Sequence, residues 1–149
     1  MREKAISVTG GCLCGKVTYS TTIKTGAGVC HCSMCRKWSG GLYMSVHAQS
    51  KVEFSGAENI QNYESSQWAE RGFCTQCGSS LYYFLKPRPG VPDGEYMLAA
   101  GSVDDQSALV FEHEVYVDAT PGWYQFDNEA SRHRMTEADI LKMYGPDAE

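Results

Sequence analysis

The sequence predicts a mainly β fold, and three observations support this. Short runs rich in β-branched and aromatic residues recur between Gly, Pro and Ser positions along the chain. The run "FEHEVYV" (111–117) alternates, with Phe111 and His113 on one face and Glu112 and Glu114 on the other. Helical patterns are confined to two short segments. With 149 residues and neither a repeat nor a linker, the chain is expected to form one domain over residues 1–149.

The expected strands follow one another with little helix between them. They are residues 5–9, 16–23, 41–48, 51–56, 79–85, 95–103 and 111–117. A tight turn at Gln49 and Ser50 is expected to join residues 41–48 and 51–56 as a hairpin. The loop "KPRPGVPDG" (86–94) is too rich in Pro and Gly to be a central strand.

Two short helices are expected. The first lies within "SMCRKWSG" (33–40) and stops at the glycines that follow it. The second is a C-terminal helix in "TEADILKMYG" (136–145), where Thr136 is a suitable N-cap and acidic residues fill the first turn. The apolar residues of this helix are expected to pack rather than to carry function.

Charge and hydropathy exclude several classes of function. The net charge is -5, and the Lys and Arg residues are scattered, which argues against a nucleic-acid partner. No apolar run approaches the roughly 20 residues that cross a bilayer, so no membrane partner is expected. The opening "MREKAISVTGG" is too polar for a signal peptide. We therefore expect a cytoplasmic protein.

The chain has seven cysteines, many for a cytosolic protein of this size. Cytosolic thiols stay reduced, so clustered cysteines there indicate metal binding or catalysis rather than disulfides. The cysteines fall into three groups: Cys12 and Cys14 as CxC, Cys30, Cys32 and Cys35 as CxCxxC, and Cys74 and Cys77 as CxxC.

These spacings are typical of zinc ligands. A CxC pair on an extended segment points both sulfurs to one side, and Gly78 after Cys77 tolerates the positive φ of a metal-binding turn. Zinc prefers four ligands, and seven cysteines divide most simply into four and three. The CxCxxC segment can supply three alone, which leaves the CxC and CxxC pairs to share one site. The spacing also allows a different zinc site, in which Cys12 and Cys14 share the metal with Cys32 and Cys35.

The cysteine segments and two later landmarks resemble one known family. "GGCLCGKVTYS", "CHCSMCRKWSGG" and "RGFCTQCGSSLYY", followed by "GSVDD" and "EHEVYVDATPGWY", are similar in order and spacing to the glutathione-dependent formaldehyde-activating enzymes. The chain lacks the proline that this pattern has shortly before His113. The resemblance covers nearly the whole sequence.

The resemblance implies a fold, a reaction and a division of the cysteines. The fold would consist of coiled antiparallel β-sheets related to the methionine-R-sulfoxide reductases. The reaction would add glutathione to formaldehyde to give S-hydroxymethylglutathione, which is a carbon–sulfur lyase reaction in reverse. A structural zinc would be held by Cys12, Cys14, Cys74 and Cys77, and a catalytic zinc by Cys30, Cys32 and Cys35. The expected cofactors are therefore two zinc ions, with glutathione as co-substrate.

Two other classes of function fit the same cysteines. In a zinc-stabilised binding module, both metals would be structural and a permanent protein ligand would complete the CxCxxC site. In a thiol-redox protein, Cys32 and Cys35 would cycle through a disulfide. Metal content and activity distinguish these classes.

Several residues near the cysteines are secondary candidates. Arg36 and Lys37 could offset negative charge at the CxCxxC segment or hold glutathione carboxylates, although ordinary surface positions suit them as well. Strand alternation points His31 away from the metal, and His113 is expected to be a packed strand residue. Trp38 and Tyr43 could line a pocket beside the zinc, whereas His47 and His133 carry no signal.

Overall fold

A computed structural model describes residues 4–127 and 132–145 of the chain. Its strands are β1 (Ala5–Gly11), β2 (Thr18–Lys24), β3 (Gly26–Cys30), β4 (Tyr43–His47), β5 (Glu53–Ser55), β6 (Ile60–Glu64), β7 (Ala69–Cys74), β8 (Ser80–Leu85), β9 (Glu95–Ala99), β10 (Val110–Val115) and β11 (His133–Met135). Its α-helices are α1 (Ser33–Ser39) and α2 (Glu137–Tyr144). The prediction of a mainly β fold with a short C-terminal helix is confirmed.

The strands form two sheets. The smaller has the order β1-β2-β5, and the larger has the order β11-β10-β3-β4-β9-β8-β7-β6. Most pairs are antiparallel, but β10 pairs in parallel with both β3 and β11. The larger sheet is therefore mixed, because β10 and β11 return after long connections, which parallel pairing requires.

The predicted hairpin of residues 41–48 and 51–56 is wrong. The first segment becomes β4 in the larger sheet, whereas the second becomes β5 and pairs with β2. Between them, the N–H of Gln49 donates to the carbonyl of Thr22 at 2.6 Å, which holds the chain against β2 as it crosses between sheets. Phe54 of β5 then packs on the rings of Tyr19 and Tyr82. Partial burial of this ring supports the position of β5 in the smaller sheet, where β5 pairs with β2.

Four strands were not expected from the sequence. They are β3, β6, β7 and β11. β3 contains Gly26 and Gly28, which are poor strand formers, yet it lies between β10 and β4 with both neighbours hydrogen-bonded. Two predicted strands also end early, in 3-10 turns at Ala100–Ser102 and Val117–Ala119. Tertiary pairing therefore outweighs local propensity in these segments.

Two buried clusters stabilise the fold. The larger lies between the sheets and includes Val17, Ile23, Val46, Leu81 and Leu98, all fully buried. The smaller is formed by Cys32, Cys35, Tyr43, Tyr116 and Ile140. Because Ile140 belongs to α2, the C-terminal helix packs on the cluster that contains two of the CxCxxC cysteines.

Both helices have capped ends. Thr136 and Asp139 form a reciprocal capping box at the start of α2, as the sequence predicts for Thr136. α1 ends at Gly40, whose φ of 86° is left-handed. Among the residues that the structure describes, no helix is long and apolar enough to cross a membrane.

Candidate metal centres and adjoining cavity

Four cysteines meet where the β1–β2 and β7–β8 connections approach each other. The sulfurs of Cys12, Cys14, Cys74 and Cys77 all lie within 4.8 Å of one another. The Cys12 and Cys14 sulfurs are 3.6 Å apart, and those of Cys14 and Cys74 are 3.8 Å apart. Zinc–sulfur bonds of about 2.3 Å in a tetrahedron separate the sulfurs by about 3.8 Å. The donor set and its spacing therefore fit a zinc ion.

Backbone N–H groups point at this four-sulfur cluster. The N–H of Val17 donates to the Cys12 sulfur at 3.4 Å, and the N–H of Gln76 donates to the Cys74 sulfur at 3.3 Å. Both turns require a glycine in the left-handed region, Gly15 and Gly78, each with a φ of 79°. Such donors favour thiolates, which are the form that binds metal.

Ser79 joins the two halves of the four-sulfur cluster. Its hydroxyl oxygen accepts the N–H of Leu13 at 3.0 Å and lies 3.2 Å from the sulfur of Cys77. The hydrogen bonds with the side chain and backbone of Ser79 lower the pKa of Cys77 to about 5. This residue therefore favours the thiolate form of Cys77 while it holds the two connections together.

The other three cysteines form a second cluster at the end of β3. The sulfurs of Cys30, Cys32 and Cys35 lie within 4.8 Å of one another. Cys32 is the N-cap of α1, and its sulfur accepts the N–H of Cys35 at 3.4 Å. The change from strand to helix within six residues is what turns all three sulfurs toward one point. Cys32 and Cys35 are buried, and Cys30 is half-buried.

The three thiols do not ionise together unaided. Hydrogen bonds with Cys32 and Cys35, and then burial, raise the pKa of Cys30. Hydrogen bonds with Cys30 and Cys35 lower the pKa of Cys32. A bound cation would remove this conflict, because it stabilises all three thiolates at once. The donor chemistry of the three-sulfur cluster therefore also fits zinc.

A buried arginine lies against this cluster, and sequence analysis did not find it. Nη1 of Arg71 donates to the Cys35 sulfur at 3.5 Å, and Nε donates to the Ser65 hydroxyl at 3.2 Å. The guanidinium carbon lies 5.3 Å and 4.8 Å from the ring centroids of Trp38 and Tyr83. Burial would lower the pKa of Arg71, but the charge of Cys35 and its hydrogen bond raise it. Arg71 therefore stabilises negative charge on the cluster.

The two cations that the sequence indicated have other positions. Nε of Arg36 donates to the carbonyl oxygen of His31 at 2.8 Å, which supports the backbone of the CxCxxC segment. Lys37 is exposed on α1. Arg71 could not be recognised because its strand, β7, was not predicted.

A buried polar network lies behind the three-sulfur cluster. The ring of His31 is buried, with Nε2 2.8 Å from a Glu114 oxygen and Nδ1 2.9 Å from the Tyr124 hydroxyl. The Nε atoms of Arg132 and Arg134 donate to the other Glu114 oxygen at 3.0 and 3.2 Å. Strand alternation predicts this direction for His31. The network fixes the residue between the first two cysteines of the cluster.

The charge of Glu114 is stabilised within this network. Burial opposes its ionisation, but the hydrogen bonds with His31 and Arg132 and the charges of Arg132 and Arg134 outweigh burial and hold its pKa below the ordinary value. The sequence placed Glu114 on the face of β10 opposite His113 but gave no sign of these partners. His31 comes directly after β3, Arg132 directly before β11 and Arg134 within it, and neither strand was predicted.

A cavity of about 880 Å³ opens beside the three-sulfur cluster. Its lining includes Cys30, Cys32, Cys35, Arg71 and Tyr43. Tyr43 therefore lines a pocket as the sequence suggested, whereas Trp38 packs behind it, with ring centroids 5.4 Å apart. The other cysteines do not line this cavity.

Three of the chain's four histidines also line the cavity. The ring of His113 lies directly over Gly28, leaving no space for a Cβ there, and its centroid is 6.5 Å from that of His47. His133 is the backbone partner of His113 in the parallel β10–β11 pair. His113 is thus a cavity residue as well as a strand residue, and strand pairing explains why the sequence gave no signal for His47 and His133.

The fold and these sites define a class: a mixed β protein with one four-cysteine cluster and one three-cysteine cluster that opens into a cavity. The model of the glutathione-dependent formaldehyde-activating enzyme family matches residues 7–119. The chain belongs to this family. The match includes all seven cysteines, Arg71 and His113.

Two curated relatives support this membership. An uncharacterized lyase of Schizosaccharomyces pombe is 30% identical over 131 residues, which are 86% of this chain and 91% of the relative. A protein of Halomonas elongata, whose name proposes a glutathione-dependent formaldehyde-activating enzyme, is 24% identical over 129 residues and 80% of each chain.

Proposed function

We propose that the protein is a zinc-dependent carbon–sulfur lyase. It adds glutathione, or a similar thiol, to formaldehyde or another small carbonyl, and formaldehyde gives S-hydroxymethylglutathione. Family membership supports this reaction, and so do the names of the two relatives. The observation that carries the proposal is that the three-cysteine cluster, and not the four-cysteine cluster, lines the cavity of about 880 Å³. A cytoplasmic location would supply reduced thiols for this chemistry.

The four-cysteine cluster has a structural role in this proposal. Cys12, Cys14, Cys74 and Cys77 would hold a zinc ion whose four positions are all filled by protein sulfur. This site joins the end of β1 to the β7–β8 turn, and so links the two sheets. We infer that residues 1–149 form a single domain that depends on this link.

The three-cysteine cluster has the catalytic role. Cys30, Cys32 and Cys35 would hold zinc by three thiolates, and Arg71 would offset part of their charge. Zinc held by these three ligands would leave a place for a substrate thiol and would lower the pKa of that thiol below its free value of about 8.5. The cavity would give the co-substrate thiol access to the cluster. An open cavity beside the cluster favours catalysis over a purely structural metal.

The reaction forms one bond and moves one proton. The thiolate sulfur attacks the carbonyl carbon, a carbon–sulfur bond forms, and the electron pair of the carbonyl π bond moves to oxygen. The oxygen then takes a proton, and the reverse sequence cleaves the adduct. No oxidant or reductant is needed.

His113 is the side chain that we assign to this proton transfer. In the parallel β3–β10 pair, His113 lies beside Gly28, and Val115 lies beside Cys30. Gly28 and Cys30 are two residues apart on β3, so His113 and Cys30 share one face of the sheet. This separation corresponds to about 7 Å along the strand. Imidazole can donate and accept protons near neutral pH, which suits an alkoxide formed beside Cys30.

Exchange NMR on glutathione and formaldehyde tests the proposed function. Zinc-loaded protein is expected to increase the rate of interconversion between free glutathione and its hydroxymethyl adduct above the uncatalysed rate. The matched variant Cys30→Ser is expected to return the rate to the uncatalysed value. Exchange that the zinc-loaded protein does not accelerate would contradict the assignment to formaldehyde.

A further inference from the structure

We propose that the preferred carbonyl substrate is an aldehyde with an apolar chain or ring, larger than formaldehyde. This inference rests on the proposed thiol-adduct function and specifies the second substrate of the same site. The cavity volume of about 880 Å³ is the first observation. Sites that bury a drug-sized ligand have volumes of roughly 300–1,000 Å³. Formaldehyde has two heavy atoms, and a single water occupies only about 30 Å³ in the liquid.

Strand register divides the floor of this cavity into two parts. The strands β11, β10, β3 and β4 contribute His133, His113 and His47, with the small residues Gly28 and Ser45 between them. We call this part the histidine half. Next to it, His47 is paired with Met97, and Met97 with Tyr83.

The second part of the floor is apolar. Met97 of β9 and Tyr83 and Leu85 of β8 line the cavity there, together with Trp68 from the loop before β7. We call these four residues the apolar half. Arg71, paired with Tyr83, stands at its edge beside Cys35. The sulfur cluster is therefore accessible from both halves.

Both helices add apolar side chains to the cavity lining. They are Met34 of α1 and Ile140, Met143 and Tyr144 of α2. Four of the chain's six methionines, which are Met34, Met97, Met135 and Met143, line this one cavity. Methionine side chains are flexible and polarizable, so they adapt to apolar groups of different shapes. Such side chains stabilise a hydrocarbon substituent, which formaldehyde does not have.

The position of the sulfur cluster relates this lining to the reaction. Met34, Tyr83 and Met135 pack against the buried cluster that contains Cys32 and Cys35. The substrate thiol would lie beside Cys30, Cys32 and Cys35 when its sulfur attacks the carbonyl carbon. The substituent on that carbon would therefore have apolar side chains within reach. The polar peptide part of the thiol would bind in the histidine half. The product is a hemithioacetal, formed by the same bond changes as with formaldehyde.

Binding of S-alkylglutathiones tests this inference without turnover. We would titrate S-methyl-, S-butyl- and S-hexylglutathione into the zinc-loaded full chain by calorimetry. A fully buried methylene is worth a factor of about 4 in affinity, and partial burial about 2. The Kd is therefore expected to fall at least about tenfold from the S-methyl to the S-hexyl compound.

Two methionine variants provide the matched comparison. Met143→Ser changes a cavity-lining residue that is 59% exposed, so the fold should tolerate it, and it should reduce the advantage of the hexyl chain by about threefold. Met44→Ser changes a residue that is 36% exposed, lies on β4 and does not line the cavity. This control should leave all three affinities unchanged.

The outcomes separate this inference from the proposed function. Binding of S-methylglutathione with no gain for the longer chains would overturn the apolar-aldehyde inference and leave the thiol-adduct function standing. Failure of all three compounds to bind would overturn the apolar-aldehyde inference, and binding of glutathione itself, which keeps its free thiol, would then leave the thiol-adduct function standing. A chain-length gain that Met44→Ser reduces as much as Met143→Ser would place the alkyl chain outside this cavity and overturn the inference.

Discussion

Nη1 of Arg71 lies 3.5 Å from the sulfur of Cys35, and the arginine is only 4% exposed. A buried guanidinium is stable only with a negative or hydrogen-bonding partner. Its partners in the described part of the chain are the Cys35 sulfur, the Ser65 hydroxyl and two aromatic rings. The negative partner is therefore the sulfur cluster, which indicates that the cluster carries thiolate charge.

Replacement of Arg71 should weaken metal binding at the three-cysteine cluster. Arg71→Gln removes the charge that offsets the thiolates, and loss of such a supporting contact typically lowers metal affinity about 10- to 100-fold. Arg71→Lys should recover part of the loss. Competition with a chromogenic chelator would measure the affinity.

Arg88→Gln is the matched control for Arg71. Arg88 also lines the cavity, but its guanidinium is 3.1 Å from the carboxylate of Glu95. This variant should keep the zinc affinity of the wild type. Equal zinc affinity in Arg71→Gln and Arg88→Gln would contradict the role assigned to Arg71.

Replacing a cysteine should have different effects in the two clusters. Cys74 is fully buried, and Cys74→Ser should prevent folding, because zinc binding to structural sites is worth about 10–16 kcal/mol in small peptides. This free energy of zinc binding is as large as the whole free energy of unfolding of a typical domain, which is roughly 5–15 kcal/mol. Cys30→Ser should stay folded and lose activity. Solubility, near-ultraviolet circular dichroism and zinc content would be compared. A soluble Cys74→Ser protein with unchanged melting would refute the structural assignment.

The buried Glu114 should make stability depend on acid pH. Its pKa is lowered in the folded protein, so its stabilising contribution is fully present above its ordinary pKa and is lost as pH falls through the lowered value. Glu114→Gln removes the charge opposite Arg132 and Arg134, and breaking such a buried pair costs about 3–5 kcal/mol at neutral pH.

Urea unfolding across a series of pH values would measure this contribution. The difference in unfolding free energy between wild type and Glu114→Gln should be constant near neutrality and shrink below about pH 4.5. Glu112→Gln, on the same strand, is the control and should show no such trend. A difference that does not change with pH would argue against ionised Glu114 as the source of stability.

His113→Asn should reduce the exchange rate without weakening ligand binding. Loss of a positioned proton donor typically costs about 10²–10⁴ in rate. Exchange NMR would give the rate, and calorimetry with S-methylglutathione would give the affinity. His133→Asn changes a neighbouring, exposed cavity residue and should have a much smaller effect. Equal rates in the two variants would remove His113 from the proton transfer.

Features fixed by a few neighbouring residues could be predicted from the sequence. The CxC, CxCxxC and CxxC groups, the N-cap at Thr136 and the glycine that stops α1 all depend on local geometry. Spacing alone could not decide which pairs of cysteines meet. The pairing depends on the tertiary structure, because only the complete fold brings the β1–β2 connection close to the β7–β8 connection.

Features fixed by tertiary pairing could not be predicted. β3 is poor in strand-forming residues and exists because β10 and β4 pair with it. Without β3 and β7, neither the parallel β3–β10 pair nor the position of Arg71 could be derived. The failed hairpin has the same origin, since β4 is paired on both edges, with β3 and β9, and Phe54 of β5 packs on Tyr19 and Tyr82 instead.

Titration of glutathione into the cobalt-substituted protein tests the central claim, that the three-cysteine cluster holds a metal with a position for a substrate thiol. Four thiolates in place of three should raise the thiolate-to-cobalt absorption of that site by about one third. S-methylglutathione, which has no free thiol, should not produce this rise, and Cys30→Ser should abolish it. A cobalt spectrum that glutathione leaves unchanged at saturating concentration would show that no substrate thiol joins the metal, and would contradict the account.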